Sequence, residues 1–505
     1  MTANKSQSAG GLPPMPDDIS LAPEKKPFNW RKWIFVAVGL GIFALFYNID
    51  QFPDAVDTAG KHFTLSKQGQ MAMGLFLLAG LWWVFEVVPI GVVSIMIGVM
   101  QALFSIRNPD DALKDFLSPA VWFIFGSVVL GMAFTKSGLT QRLAYRILQI
   151  VGERTSMILL GVFVCIAFMT HFMAHTAVAA AMFPLLVAIH QLYTDRDEPT
   201  KFGKALFIGM AWVAGAGSIC TFLGAARGVA AVGFYKEATG LDVAFFELSK
   251  YMLPVGWVMV FLLWGLIMLI FKPEKSRIEN LRERVGRLSS QQGSMSKKEW
   301  YVLAVTLMVV GLFMAKSFVP ALATVSRPGI ILVSTMLFFL GGVLNVNDLE
   351  EIPWNIVLLF GGAMSIGYCL IQTGAAQWIA VHWLSMFKAA PWLVFLLSIA
   401  FLVLMLTNFI MNVAAIAICL PVALIMGNYL GVSPQVILFS SLVTAGMPFN
   451  LLIGAAPNAI AYESRQFTTG QFFTYGWLAN IILMAVLTIT ILVVWPLLGM
   501  PILTK

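Results

Sequence analysis

Twice in this chain a long apolar stretch is interrupted by a polar cluster, and the two interruptions match. The first is Thr170-His171-Phe172-Met173-Ala174-His175-Thr176, in a segment that closes on Pro184. The second is Thr407-Asn408-Phe409-Ile410-Met411-Asn412-Val413, closing on Pro421. In hydrocarbon an unpaired backbone or polar group is costly, so such a break survives only when buried in protein or lining a wet cavity. One break in each half of a chain is the sequence mark of a transporter's substrate site.

The rest of the chain is built for a bilayer. Of 505 residues 59% are hydrophobic and 11% charged, which excludes an ordinary soluble domain. Many apolar stretches run to about 20 residues, enough to cross a core of about 30 Å. Residues 1–32 carry Pro13, Pro14, Pro16, Asp17, Asp18, Lys25 and Lys26 and read as a flexible cytosolic tail rather than a signal peptide. Cys165, Cys220, Cys369 and Cys419 all lie inside apolar segments and suit packing, not a disulfide or metal site. The net charge of +7 comes from basic loops and calls for no nucleic acid.

The halves repeat in order. Phe125-Gly126 answers Phe360-Gly361, Ser137-Gly138 answers Thr373-Gly374, and Gly224-Ala225-Ala226 answers Gly454-Ala455-Ala456. We therefore divide the chain into a first span and connector (33–70), a first repeat (71–271), a basic loop (272–299), a second repeat (300–498) and a C-terminal tail (499–505). Each repeat holds an interrupted segment (156–192 and 390–427) followed by a glycine-broken span (203–235 and 434–462). Lys272, Lys275, Arg277, Arg282, Arg284 and Arg287 put the basic loop in the cytosol, with the N-terminus; the C-terminus falls outside. These sides agree only if each interrupted segment is a re-entrant hairpin. The expected fold is an all-α polytopic membrane protein of inverted repeats, with two hairpins, two broken helices and about 11 transmembrane helices. Glu86, a carboxylate in the early spans, falls near a turn where a capping role suffices.

A hairpin tip offers carbonyls that suit Na⁺ and helix N-termini that suit anions. Arg227 lies deep in the first broken span, beside Gly224 and Gly228. A guanidinium there costs at least ~2.5 kcal/mol at a helix centre unless paired or hydrated, and its fork fits a carboxylate, sulfonate or phosphate. Its structural alternative is an ion pair with Glu247 or Glu463. His175 is the second cationic candidate, with His171 one helical turn before it.

The duplicated hairpins, each followed by a glycine-rich break, resemble the divalent anion/sodium symporters, carriers of dicarboxylates, citrate and sulfate. The resemblance covers roughly 30–500. It implies a homodimer in the plasma membrane that moves a transport domain against a fixed scaffold as an elevator, with Na⁺ as a coupling ion. It places substrate contacts at His175, Thr176, Arg227, Met411, Asn412, Val413, Pro457 and Asn458, and cation contacts at Thr170, Ala174, His175, Gly217, Thr407, Asn412 and Asn450. The chain departs from the family's Ser-Asn-Thr tips: it has Ala174-His175-Thr176 and Met411-Asn412-Val413, and its first turn reads Ala225-Ala226-Arg227-Gly228, losing the family's Asn. Lost hydroxyls with a gained Arg and His suggest that fixed or protonic charge replaces at least one Na⁺. Symport with Na⁺, symport with H⁺ and anion exchange are all compatible with these residues.

Substrate is thus expected to be a small organic anion, a sulfonate among the allowed kinds. The runner-up is a cation or metalloid carrier of the same architecture, which would want Asp or Glu at the breaks; none is there. An intramembrane enzyme would need a nucleophile–base pair or a metal triad, and neither pattern occurs. No organic cofactor or transition metal is expected.

Overall fold

The computed structural model describes residues 30–504 except 51, 57–61, 86, 195–197, 323, 385–390 and 410. The expectations for Glu86 and for the tail to residue 29 lie outside the described residues.

Helices account for nearly all the regular structure. In the first half they are α1 (Trp30–Asn48), α2 (Lys67–Val84), α3 (Ile90–Leu103), α4 (Pro109–Lys114), α5 (Pro119–Ser137), α6 (Leu139–Val151), α7 (Thr155–Met169), α8 (His175–Tyr193), α9 (Lys201–Ser218), α10 (Arg227–Thr239) and α11 (Phe245–Ile270). Then come α12 (Leu281–Gln291), α13 (Lys297–Phe318), α14 (Arg327–Leu340), α15 (Val346–Glu350), α16 (Trp354–Gln372) and α17 (Ala375–Leu384). The chain closes with α18 (Trp392–Phe409), α19 (Asn412–Tyr429), α20 (Pro434–Ala445), α21 (Ala456–Tyr462) and α22 (Thr469–Ile489), the last prolonged by a π-turn. A short antiparallel pair, Ala55–Val56 with His62–Phe63, links α1 and α2.

Local chemistry sets the ends. α2 begins at Lys67, inside the stretch read as connector to residue 70, because the Ser66 hydroxyl accepts the Gly69 N–H at 3.0 Å. α14 stops at Leu340, just before Gly342 turns the chain left-handed at φ +64°. Trp30 is already helical, so the tail ends sooner than expected.

Both ends of the first interrupted segment meet the same loop. Thr155, opening α7, donates its N–H to the Ser276 carbonyl (3.0 Å) and its hydroxyl to that of Lys275 (2.9 Å). Tyr193, closing α8, donates its hydroxyl to Glu274 (2.8 Å), and its carbonyl accepts from Lys275 Nζ (2.7 Å). The chain goes in along α7 and returns along α8 to one face. α18 lies beside α20 with their C-terminal ends together, Thr407 Oγ1 donating to the Ala445 carbonyl at 3.0 Å. α19 turns directly into α20, so α18 and α19 are also antiparallel, and their base meets the C-terminal residues through Ser433 N–H to the Ile502 carbonyl (2.9 Å).

These bases are on opposite faces. The start of α11 is bonded to the start of α20 (Gln435 to Glu247, 2.5 Å) and to Trp495 (3.0 Å to the Tyr251 carbonyl). Its end leads into the loop that holds the first hairpin. Its 26 residues separate the two bases by about 39 Å at 1.5 Å per residue. Two halves of like order thus enter from opposite sides, the inverted-repeat arrangement.

Among the described residues eight helices are long and apolar enough to cross a membrane. Three of them, α8, α18 and α19, qualify by length yet are arms of the hairpins. Several spans of the sequence reading are missing from that set because they are shorter or broken, as α9 and α10 are by residues 219–226. α6 and α12 are amphipathic and pack on each other along the face of the basic loop, and Arg142 of α6 is ion-paired with Glu299 of α13 at 2.6 Å.

Candidate functional site

Three helices begin around one cavity. They are α8 at His175, α10 at Arg227 and α19 at Asn412, the returning arms of both hairpins and the second half of the first broken span. Their N-cap residues are Ala174, Ala226 and Met411, and none supplies a side-chain cap. The first turn of a helix has N–H groups without intrahelical partners and about half a positive charge. Three uncapped N-termini converging on a concavity form an anion trap before any side chain is counted.

The cavity holds about 460 Å³. Its floor is Ala174-His175-Thr176, Ala225-Ala226-Arg227 and Met411-Asn412-Val413. Its far wall comes from α5 (Ile124, Ser127, Val128) and α16 (Ile356, Phe360), and it extends to Lys136 and Glu351 on the face of the basic loop. Lys136 is neutralised there by Asp348 (2.8 Å) and Glu351 (2.9 Å).

Arg227 is 2% exposed and has no carboxylate within 4 Å among the described residues. The alternative partner Glu247 instead accepts from Gln435 and from the Ala244 N–H (3.2 Å). One guanidinium nitrogen, Nη2, donates to Ser218 Oγ at 2.6 Å. The other, Nη1, is buried without a partner. Asn412 Nδ2 and His175 Nδ1 are likewise unpartnered. The Gly224 carbonyl lies near the His175 ring, but its hydrogen bond is with the His175 backbone N–H at 3.0 Å. Each of the three N-termini therefore presents one unsatisfied polar atom. Buried polar atoms are normally satisfied, so three left open around one cavity mark a place for a ligand.

The two tips and two breaks meet with the same geometry. A Cβ on Gly224 would strike the Thr170 carbonyl, and one on Gly454 would come within 2.8 Å of the Thr407 carbonyl. Glycine is required where backbones approach so closely. Thr221 adds a tie, its hydroxyl donating to the His171 carbonyl at 2.8 Å.

Other expected residues are placed elsewhere. Pro457 and Asn458 do not line the cavity; Asn458 Nδ2 donates to the carbonyls of Pro448 (2.8 Å) and Leu451 (3.0 Å), holding the second break in shape. Asn450 donates to the Phe473 carbonyl (3.1 Å) and accepts from Asn480, so it fastens the break to α22. Thr170 Oγ1 donates back to the Ala167 carbonyl (2.7 Å), against which Gly217 packs, and the Thr407 hydroxyl is bonded to Ala445. His171 stacks edge-on against Trp257 at 5.7 Å, outside the cavity lining. Among the described residues no three His, Cys, Asp or Glu side chains are grouped to hold a metal.

Sequence reasoning did not single out Ser218, the seat of Arg227, as a site residue; Asn408 stands in the polar cluster of the second tip but was not among the expected contacts. The Asn408 carbonyl oxygen accepts from the N–H groups of Asn450 (2.9 Å) and Leu451 (3.3 Å). It also missed the α5 and α16 wall, for which the matched Phe125-Gly126 and Phe360-Gly361 pairs were the available signal.

Residues 61–501 match the family described as the sodium:sulfate symporter transmembrane region. The chain belongs to the sodium:sulfate symporter family, the divalent anion/sodium symporters. It is similar to the sodium-dependent dicarboxylate transporter SdcS of Staphylococcus saprophyticus, 24% identical over 498 residues and covering 94% of each chain. The protein of that name from Staphylococcus aureus is 23% identical over 502 residues, covering 95% of this chain and 94% of its own. Among solved structures, the fold is similar to the Alcanivorax borkumensis YdaH transporter (TM-score 0.56, 14% identity, 93% of this chain and 99% of that one). It is also similar to Neisseria gonorrhoeae MtrF (TM-score 0.59, 14% identity, 94% and 96%). Family and fold are those of membrane transporters, not enzymes.

Proposed function

We propose that this chain is a secondary active carrier of small organic anions, di- and tricarboxylates or related anions, with the anion held among His175, Arg227 and Asn412. The observation that carries this reading is that His175, Arg227 and Asn412, each opening a helix and each carrying one unpartnered buried polar atom, line one cavity, and that the guanidinium among them has no carboxylate partner. An anion would complete all three. The relatives' name, sodium-dependent dicarboxylate transporter, supports the same class.

The cavity separates the hairpins and broken spans from α5 and α16. In the proposed elevator the former, carrying the anion, slide past the latter, whose wall of Ile124, Val128, Ile356 and Phe360 is apolar, the hydroxyl of Ser127 beside them being turned to the Ile124 carbonyl at 2.8 Å. The protein works as a homodimer in the plasma membrane, with the basic loop in the cytosol.

Coupling has two readings. Na⁺ is suggested by the relatives, and the carbonyl-lined contacts of Thr170 with Gly224 and Thr407 with Gly454 are where it would be held. Exchange or H⁺ coupling is favoured by Arg227 and His175 in the site itself, since a fixed guanidinium supplies charge that a bound cation would otherwise bring.

Counterflow in proteoliposomes tests the reading: succinate, citrate, a short sulfonate and sulfate are compared inside and outside, with and without a Na⁺ gradient. At least one of these anions is expected to drive its own uptake in exchange. Absence of counterflow for all of them, by protein that is folded and reconstituted, would overturn the anion-carrier reading.

A further inference from the structure

Two arginines face each other where the first hairpin meets the basic loop. Arg154, just before α7, is paired antiparallel with Arg277 in a single β-bridge. The bonds that flank the pair run from the Thr155 N–H to the Ser276 carbonyl (3.0 Å) and from the Ile278 N–H to the Glu153 carbonyl (2.9 Å). This is the non-hydrogen-bonded kind of pair, in which the two opposed side chains leave the backbone on the same side and closest together. Like charges set directly opposite one another are destabilising. Both arginines are exposed, and neither has a carboxylate within 4 Å among the described residues; Glu153 and Glu279, beside them in sequence, make no ion pair.

The pair stands at the edge of an apolar outer surface. α7 and α11 pack side by side, and Trp264 of α11 donates its indole N–H to the Ser156 carbonyl at 3.1 Å, two residues past Arg154. Trp suits the boundary between hydrocarbon and lipid headgroups. On α11 the exposed residues Val258, Leu262 and Leu269 recur at helical spacing, with Leu269 84% exposed, and Met157 of the neighbouring α7 is exposed as well. An apolar stripe thus runs along α11 toward the end at which the two guanidinium groups stand. The start of α7 adds partial positive charge there, since Arg154 supplies no side-chain cap.

We propose that Arg154 and Arg277 together bind the phosphate of an anionic phospholipid whose acyl chains lie along the exposed apolar stripe of α11. One phosphate accepts from both guanidinium groups, so the lipid turns a repulsive pair into a bridge between the base of the first hairpin and the basic loop. A soluble phosphate would meet the charges and leave the stripe uncovered; a lipid fits both. The binding does not depend on the carrier reading above, which fixes only the leaflet, the cytosolic one.

Purified full-length protein in a neutral detergent is melted with added phosphatidylglycerol, with phosphatidylcholine of the same acyl chains, or with inorganic phosphate, and bound lipids are counted by native mass spectrometry. Phosphatidylglycerol is expected to raise the thermal midpoint more than either comparator and to stay bound. Arg154→Gln with Arg277→Gln is expected to weaken its apparent affinity about tenfold or more. Without anionic lipid that variant should melt no lower than wild type, because the repulsion is gone; a pair that merely holds the loop in place would lower the midpoint in both conditions. Arg154→Lys with Arg277→Lys should keep most of the binding. Lys297→Gln with Lys298→Gln, at exposed cations that open α13, should leave it unchanged. An equal rise with phosphatidylcholine or inorganic phosphate, undiminished affinity in the Arg→Gln variant, or an equal loss in the Lys297 and Lys298 variant would overturn the proposal. Failure of the carrier reading would show differently, as wild-type protein that binds phosphatidylglycerol and performs no counterflow.

Discussion

Replacing Arg227 by Met should weaken transport and leave the protein at least as stable, an unusual pair of signs for a fully buried residue. Met keeps much of the volume, so little cavity opens. Nη1 has no protein partner, so its loss removes one charge-assisted contact to the anion, worth about 1.5–3 kcal/mol. At about 1.36 kcal/mol per tenfold, the apparent affinity should fall roughly 10- to 150-fold. Stability runs the other way. A cation without a counter-charge deep in a membrane helix costs about 2.5–3.5 kcal/mol, offset by about 1.5–3 kcal/mol from the charge-assisted Ser218 bond that the variant also loses, so the net change is near zero or stabilising. The substrate concentration for half-maximal counterflow and the thermal midpoint are read on one preparation. Arg227→Lys should recover transport in part, since a point charge replaces a fork. An unchanged half-saturation value, or a fall of many degrees in the midpoint, would refute the reasoning and make Arg227 a structural residue.

Gly446→Ala should act on the same guanidinium from behind. Its new methyl would sit 2.9 Å from Arg227 Nη2 and against Ile219, so half-saturation should rise several-fold in the same assay with the hairpins intact. His175→Asn tests coupling by protons. A charged imidazole beside Arg227 needs an anion between the two, so substrate-driven uptake should increase as pH falls from about 7.5 to 5.5, and the variant should flatten that rise. Uptake by wild type that is pH-flat and steeply Na⁺-dependent would exclude that role; the probe must be an anion fully ionised throughout. Glu274→Gln should loosen the base of the first hairpin. Partial burial opposes its charge, but the N–H groups of Lys201 (2.6 Å) and Phe202 (3.3 Å) and the Tyr193 hydroxyl (2.8 Å) outweigh it and hold the carboxyl below its ordinary value of 4.5. A depressed pKa in the folded state means stabilisation present above about pH 4.5 and lost as pH falls through the folded value. The midpoint difference between wild type and variant should therefore be full at pH 7 and vanish in acid.

The hairpins and breaks were legible in the sequence because polar groups and glycines are expensive in an apolar segment and stand out against it. Thr170, Thr407, Gly224 and Gly454 could be paired by position alone, and the structure brings each pair into contact. The direction of a side chain was not legible. Asn450 and Asn458 are the right residue types in the right breaks, yet both are used up on neighbouring carbonyls. The opposite wall escaped for another reason. Ile124, Val128, Ile356 and Phe360 look like any lipid-facing residue until the packing of α5 and α16 shows that they line a cavity. The neutralisation of Lys136 by Asp348 and Glu351 joins positions more than 200 apart, and no local pattern foretells it.

The central claim is that an anion completes three helix N-termini around Arg227, and a cryo-EM map of the reconstituted protein with a counterflow-competent anion tests it most directly. The account predicts ligand density within hydrogen-bonding distance of Arg227 Nη1 and Asn412 Nδ2, beside the first-turn N–H groups of α8 and α19. Density placed elsewhere with Arg227 still unpartnered, or Arg227 paired with a protein carboxylate, would contradict it.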